Sequence, residues 1–313
     1  MLIKPLAFDS FGVRSMATYV ETEDVKITID PGVSLAPRRF GLPTHPLELA
    51  RQKECAKAVQ SHAEASDILI VTHYHYDHHD LGGLIPTSIY TGKKVFVKHP
   101  RENINYSQRA ERAPRFLQAI RGLPKTLDYA DGVHKVFGRT SLRFSKAVAH
   151  GTDTQLGYVV EVSIGVGGEK LVYTSDVEGP SLPEQARFIL DEKPSFLIVD
   201  GPLTYMLGYR YSQASLETSM ENLAKIVEKT PVKTILLEHH FMRDLNYRKL
   251  ASPLCEAAER RGVQVLTAAE FLGRKVEMLE ASRLELYKSG GSRTTSASKT
   301  SNLGERKNLA SRP

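Results

Sequence analysis

Residues 67–80 read DILIVTHYHYDHHD: the apolar run Ile68–Val71 passes through Thr72 directly into His73, His75, Asp77, His78, His79 and Asp80. The run has no polar interruption and predicts a buried strand over Asp67–Thr72, with the histidines on the loop that follows. Four of the chain's eleven histidines lie between His73 and His79. Imidazole is the commonest ligand for Zn²⁺, and an HxHxDH loop can turn His73 and His75 toward one cation and Asp77 and His78 toward a second. The competing reading is a histidine-rich surface loop or a tag-like tract, but a tag has no reason to sit behind a buried strand in mid-chain.

Four side chains on one loop do not close two metal sites, so further ligands have to come from other strand ends. The predicted strand Leu142–Ala149 ends in His150, Lys170–Thr174 runs into Ser175–Asp176, and Thr234–Glu238 runs into His239 and His240. Val25–Asp30 ends in an aspartate followed by Pro31–Gly32. Taken singly, His150 is equally a hydrogen-bonded strand end, and Asp30 and Asp176 are equally turn residues. Alternation along Ile235, Leu237 and His239 favours His239 as the last ligand, but a strand that stops at Glu238 leaves His240 open. His79 and Asp80 fall outside the ligand pattern; His79 is expected at the solvent-exposed surface, with contact to the substrate or leaving group as the alternative.

The rest of the chain is ordinary globular sequence, 313 residues with 41% hydrophobic and 25% charged, which excludes a mainly disordered or collagen-like protein. Further strands are predicted at Ala17–Glu21, Lys94–Val97, Gly157–Ser163 and Phe196–Asp200. Helices are predicted at Pro46–Glu64, Ser212–Lys229 and Ser252–Arg261. Early strands in groups, followed by strands that alternate with helices, point to a layered α/β or α+β sandwich. No window approaches eighteen consecutive apolar residues, and Cys55 and Cys255 form no CxxC pair. These features lead us to expect a soluble cytoplasmic protein with no membrane partner.

The formal charge of +6 is concentrated in two places. Lys288–Pro313 carries six Lys/Arg against Glu305 alone, and its Ser, Thr, Gly and Asn content predicts a basic disordered tail after a single domain spanning residues 1–287. Lys93–Lys125 carries nine Lys/Arg against Glu102 and Glu111. Within it, Arg101, Arg109, Arg112, Arg115 and Arg121 belong either to a cleft for an anion or to a solvated helix face. Tyr205, Tyr209, Arg210 and Tyr211 follow the strand ending at Asp200 and either line a pocket or pack.

In this order, Asp30, His73–His78, His150, Asp176 and a late histidine resemble the metallo-β-lactamase fold superfamily. The wording GVRSM (Gly12–Met16), IDPGVSLAPRRFGLP (Ile29–Pro43), THYHYDHHD and EHHFMRDLNY (Glu238–Tyr247) resembles its archaeal branch UPF0282. The resemblance implies an αββα sandwich with the metal site at one edge between the sheets. It also implies that His73, His75 and His150 hold one metal, that Asp77, His78 and His239 or His240 hold the other, that Asp176 bridges them, and that Asp30 braces the loop.

Two divalent ions at such a site, Zn²⁺ foremost with Mn²⁺ or Fe²⁺ as alternatives, would ready a hydroxide for attack, with Asp77 steering it or shuttling a proton. The expected reaction is hydrolysis, on a phosphoester or other anionic ester such as RNA or a nucleotide. A lactonase-like ring opener, or a redox or binding protein on the same fold, is the alternative. Oligomeric state is not written in one chain.

Overall fold

The computed structural model describes residues 1–294. The strands β1 (Leu2–Phe8), β2 (Met16–Glu21), β3 (Lys26–Ile29), β4 (Ile68–Val71), β5 (Lys94–Val97) and β6 (Thr126–Tyr129) form one sheet in that spatial order. The first three run antiparallel, whereas β3 to β6 run parallel. Ile68, Leu69, Ile70 and Val71 are all buried, as a central parallel strand covered on both faces requires.

The second sheet holds β7 (His134–Phe137), β8 (Thr140–Phe144), β9 (Val162–Val166), β10 (Glu169–Tyr173), β11 (Phe196–Asp200), β12 (Thr234–Glu238) and β13 (Gln264–Leu266), again in sequence order. Its first four strands pair antiparallel and its last four parallel.

Side-chain alternation sorts these strands between two layers. Leu171, Tyr173, Ile198 and Leu236 join the core shared with Phe8, Ile27 and Leu69 of the first sheet. Val172, Leu197, Val199, Ile235 and Leu237 pack instead on Leu216, Leu223, Ile226 and Leu254 of the helices Gln213–Lys229 and Ser252–Arg261. The helix Pro46–Ala65 covers the first sheet through Cys55, Ala56, Val59 and Ala63. The result is the anticipated αββα sandwich. His45 caps the Pro46–Ala65 helix reciprocally with Glu48, and Ser212 caps the Gln213–Lys229 helix through Ser215 N.

Several features depart from the sequence reading, among them the expected strand Gly157–Ser163, which divides into Tyr158–Val159 and Val162–Val166. The expected strand Leu142–Ala149 is two: β8 stops at Phe144, and Val148–Ala149 pairs with Tyr158–Val159 in a separate ribbon. Ser145 makes the bend, exchanging bonds with the backbone of Glu161 on both sides. The helix Pro183–Glu192, although amphipathic, and the exposed strand β6 are absent from the sequence reading. The helix Arg283–Thr294 passes the Tyr287 boundary, and the remainder of the basic tail lies outside the described residues. Among the described residues, no helix is long and apolar enough to cross a membrane.

Candidate metal centre

The carboxyl ends of β4, β10 and β12, with the ribbon end at Ala149, deliver ligand-type side chains to one place. His73, His75, His150 and Asp176 form one group and Asp77, His78, Asp176 and His239 a second, with the ligand atoms of each within 4.8 Å of one another. Asp176 belongs to both. Its Oδ2 lies 3.3 Å from His150 Nε2, 3.4 Å from His239 Nε2 and 3.6 Å from His73 Nε2. His78 Nε2 lies 2.9 Å from Oδ1 but off the hydrogen-bonding direction, so His73 Nε2, His78 Nε2 and Asp176 Oδ1 are buried without a hydrogen-bond partner. Orphaned buried polar atoms are costly, and cations on these nitrogens and oxygens would satisfy all three at once. The donor set of imidazole and carboxylate suits divalent zinc-type ions.

Strained backbone aims the ligands and their supports. Asp30, Ser175 and His239, each at or just past a strand end, have φ of +50°, +57° and +58°. Asp30 accepts from Thr72 N at 2.7 Å, Thr72 Oγ1 at 2.6 Å, Tyr173 OH at 2.7 Å and His78 Nδ1 at 2.8 Å. It therefore ties the histidine loop to both sheets and leaves His78 Nε2 facing the site. Gly32 lets this happen, because a Cβ there would lie 2.2 Å from the backbone N of His79.

Asp9, which sequence reasoning missed, does the same for His239 by accepting from Nδ1 at 2.7 Å, and Arg243 Nε binds its other oxygen at 2.8 Å. His240 is not in either ligand group. Its backbone N and Nδ1 both bond the Asp200 carboxylate, and its ring lines the cleft. The strand stops at Glu238, and it is His239, in the left-handed region, whose ring joins a candidate ligand group.

Electrostatics follow from packing charges without water. Burial and the neighbouring His78 hold His73 well below the imidazole range, and burial with His150 does the same to His75. Burial would also lower His78 and His239, but Asp176 with Asp30, and Asp176 with Asp9, outweigh it and push both well above. Burial would raise Asp176 and Asp77, yet the surrounding histidines, His78 first, hold both carboxyls below their usual range. Without a cation the cluster thus pairs ionised carboxylates with His78 and His239 favoured as imidazolium, whose protons a bound cation would displace, while His73 and His75 are favoured neutral.

Above this floor lies a cleft of about 350 Å³. Of the five arginines considered between residues 101 and 121, only Arg112 lines it; the other four are exposed, and Arg115 pairs with Glu111. Tyr205 and Arg210 line it as well, Tyr211 packs with its hydroxyl on Ser219, and Tyr209 is exposed. Arg14 and Arg243 also reach the cleft but are neutralised by Glu280 and Asp9. His79 corrects an expectation: it is fully buried against Phe116, with its ring centroid 4.6 Å away, and burial lowers it to about 3. Asp80 accepts from the backbone of Gly82 and Gly83 and shapes the next turn.

A family model described as the metallo-β-lactamase superfamily matches residues 11–239, so fold and site together define a member of that superfamily. A UPF0282 protein of Metallosphaera sedula is 50% identical over 287 residues, 92% of this chain and 93% of that protein. One from Sulfurisphaera tokodaii is 48% identical over 288 residues, again 92% and 93%. The chain belongs to the UPF0282 family. Among solved structures, an isothiocyanate hydrolase from Delia radicum gut bacteria aligns with a TM-score of 0.49 and 14% identity, covering 82% of this chain and 94% of that one.

Proposed function

We propose that this protein is a metal-dependent hydrolase of small anionic esters, phosphoesters foremost, working with a pair of divalent ions. The observation that carries this reading is the pair of ligand groups sharing Asp176 beneath a cleft whose wall bears Arg112 and Arg210, neither within salt-bridge distance of a carboxylate among the described residues. His73, His75 and His150 would hold one ion, and Asp77, His78 and His239 the other, with Asp176 on both. Zn²⁺ fits the imidazole-rich donors best. Bound there, the ions would supply Lewis acidity and a water acidic enough to attack near neutral pH.

The chain's own residues supply the rest. Arg112 and Arg210 bind and orient the anion, and Leu156, Leu203 and Met206 limit water around the ester. His240, fixed by Asp200, holds its ring at the cleft wall to contact the substrate. Asp77 Oδ2 lies 3.7 Å from His239 Nε2, and Asp77 also lines the cleft, where its carboxylate can steer an attacking water or take its proton. The free cysteines Cys55 and Cys255 suit a cytoplasmic location.

The test is turnover of bis-p-nitrophenyl phosphate by metal-loaded protein beside lactone and thioester panels. The reading predicts preference for the phosphodiester, with Arg112→Gln raising KM by about tenfold, roughly 1.4 kcal/mol of lost charge-assisted contact. Preference for lactones with no effect of Arg112→Gln would transfer the protein to the ring-opening reading.

A further inference from the structure

Singly exposed rings are ordinary on a protein surface, but rings grouped with arginines at a cleft mark a place for ligand contact. Five aromatic side chains of the described residues are exposed; one of them, Tyr76, lines the cleft, and two more, Tyr209 and Phe40, each sit next to an arginine in the chain. Tyr76, between the candidate ligands His75 and Asp77, keeps 38% of its surface exposed and lies 5.2 Å beneath the guanidinium of Arg112. Tyr209, 83% exposed, directly precedes Arg210 on the loop that supplies Leu203, Tyr205 and Met206 to the cleft. Phe40, 53% exposed, sits at the tip of the hairpin Arg38–Arg39/Leu42–Pro43, and Arg39 spans from its ring, at 4.8 Å, to that of Tyr205, at 4.4 Å.

A phosphate alone needs the arginines but not the rings, and a neutral lactone needs neither. Rings set beside the guanidinium groups of Arg112 and Arg210, neither within salt-bridge distance of a carboxylate among the described residues, match a ligand with a planar base and a phosphate on one scaffold. We infer that the cleft rim is a nucleoside subsite: a nucleobase stacks on Tyr76 and Tyr209 while its phosphodiester rests on Arg112 and Arg210 above Asp176. This deepens the hydrolase reading and rests on it for the reaction alone. In that reaction water adds across one P–O ester bond, giving a nucleotide monoester and an alcohol.

The experiment compares thymidine 5′-(p-nitrophenyl phosphate) with methyl p-nitrophenyl phosphate on the full-length, metal-loaded protein. Wild type favours the nucleoside diester in kcat/KM by about tenfold, the lower range of what a stacked base contributes. In Tyr76→Leu and in Tyr209→Leu, whose exposed side chain supports no core, that ratio falls toward one, chiefly through KM. A wild-type ratio near one, or a ratio unmoved in both variants, overturns the subsite.

Should neither diester turn over, the hydrolase reading fails by itself, and equilibrium dialysis decides the subsite. Thymidine 5′-monophosphate binding about tenfold tighter than ribose 5-phosphate sustains it, and equal affinities overturn it. Competition by oligothymidylate that strengthens with length assigns the subsite to a strand, whereas length-independent competition assigns it to a free nucleotide. Both keep it, and absence of any competition overturns it.

Discussion

His239 turns its Nε2 toward Asp176 and Asp77 because its backbone adopts φ +58° and Asp9 holds its Nδ1, while His240 gives its own Nδ1 to Asp200. His239→Gln is therefore expected to lower bound metal by about one equivalent, and His240→Gln to leave metal unchanged while lowering turnover; elemental analysis and a diester assay read the two separately. Strand alternation favoured His239 without excluding His240, since a left-handed turn at a non-glycine residue leaves no compositional mark. Asp30 was legible as a strand-end aspartate, but its four donors come from Thr72, His78 and Tyr173 on different strands and loops. Asp30→Asn, which loses acceptor strength to buried donors including His78, should cost about 3 kcal/mol in denaturant unfolding. A loss under about 0.5 kcal/mol would show that the brace is dispensable.

Elements far apart in sequence meet behind the cleft wall through ion pairs that no periodicity announces. Arg283, fully buried at the start of the last helix, bonds both oxygens of Glu48 and the Ala36 carbonyl, and Glu280 takes two bonds of 2.6 Å from Arg14. Burial would raise the Glu280 carboxyl, but Arg14 outweighs it and holds it down at about 2.

A folded-state value below the unfolded carboxylate value means stabilisation present above about pH 4.5 and lost as pH falls toward 2, worth about 3 kcal/mol by linkage. Because site carboxylates also titrate, the informative quantity is the difference between wild type and Glu280→Gln: it should shrink on acidification from pH 6 to pH 2.5. A constant difference would show that the pair contributes nothing through its charge. The helices Gln213–Lys229 and Ser252–Arg261 were legible because Ser and Gly mark their ends and an apolar stripe marks their buried face, and Pro46–Ala65 chiefly because Pro46 marks its start. The strand β6, exposed at every position, and the bent segment after Phe144 offered no such pattern.

At the scale of the molecule, each sheet begins with antiparallel strands and ends with parallel ones, and the parallel strands carry most of the ligands at their carboxyl ends. This explains why the order of Asp30, the histidine loop, His150, Asp176 and His239 was readable in one dimension: each follows a short apolar run, and the sandwich gathers those ends. The cleft wall was less readable, since Arg112 is brought to it by tertiary packing while its neighbours Arg109 and Arg115 remain in solvent.

The last described helix ends at Thr294 and holds on through Arg283 and Tyr287, so removing residues 295–313 should leave metal content and small-diester turnover within about twofold of the full chain. A larger loss would place the basic tail in the site.

Everything above converges on Asp176 as the side chain common to both ligand groups, and metal stoichiometry tests that arrangement most directly. Elemental analysis of purified wild type, His75→Ala and Asp176→Ala should give about two equivalents, about one, and close to none, with each variant still folded by circular dichroism. Folded variants that retain the wild-type metal content would contradict the account.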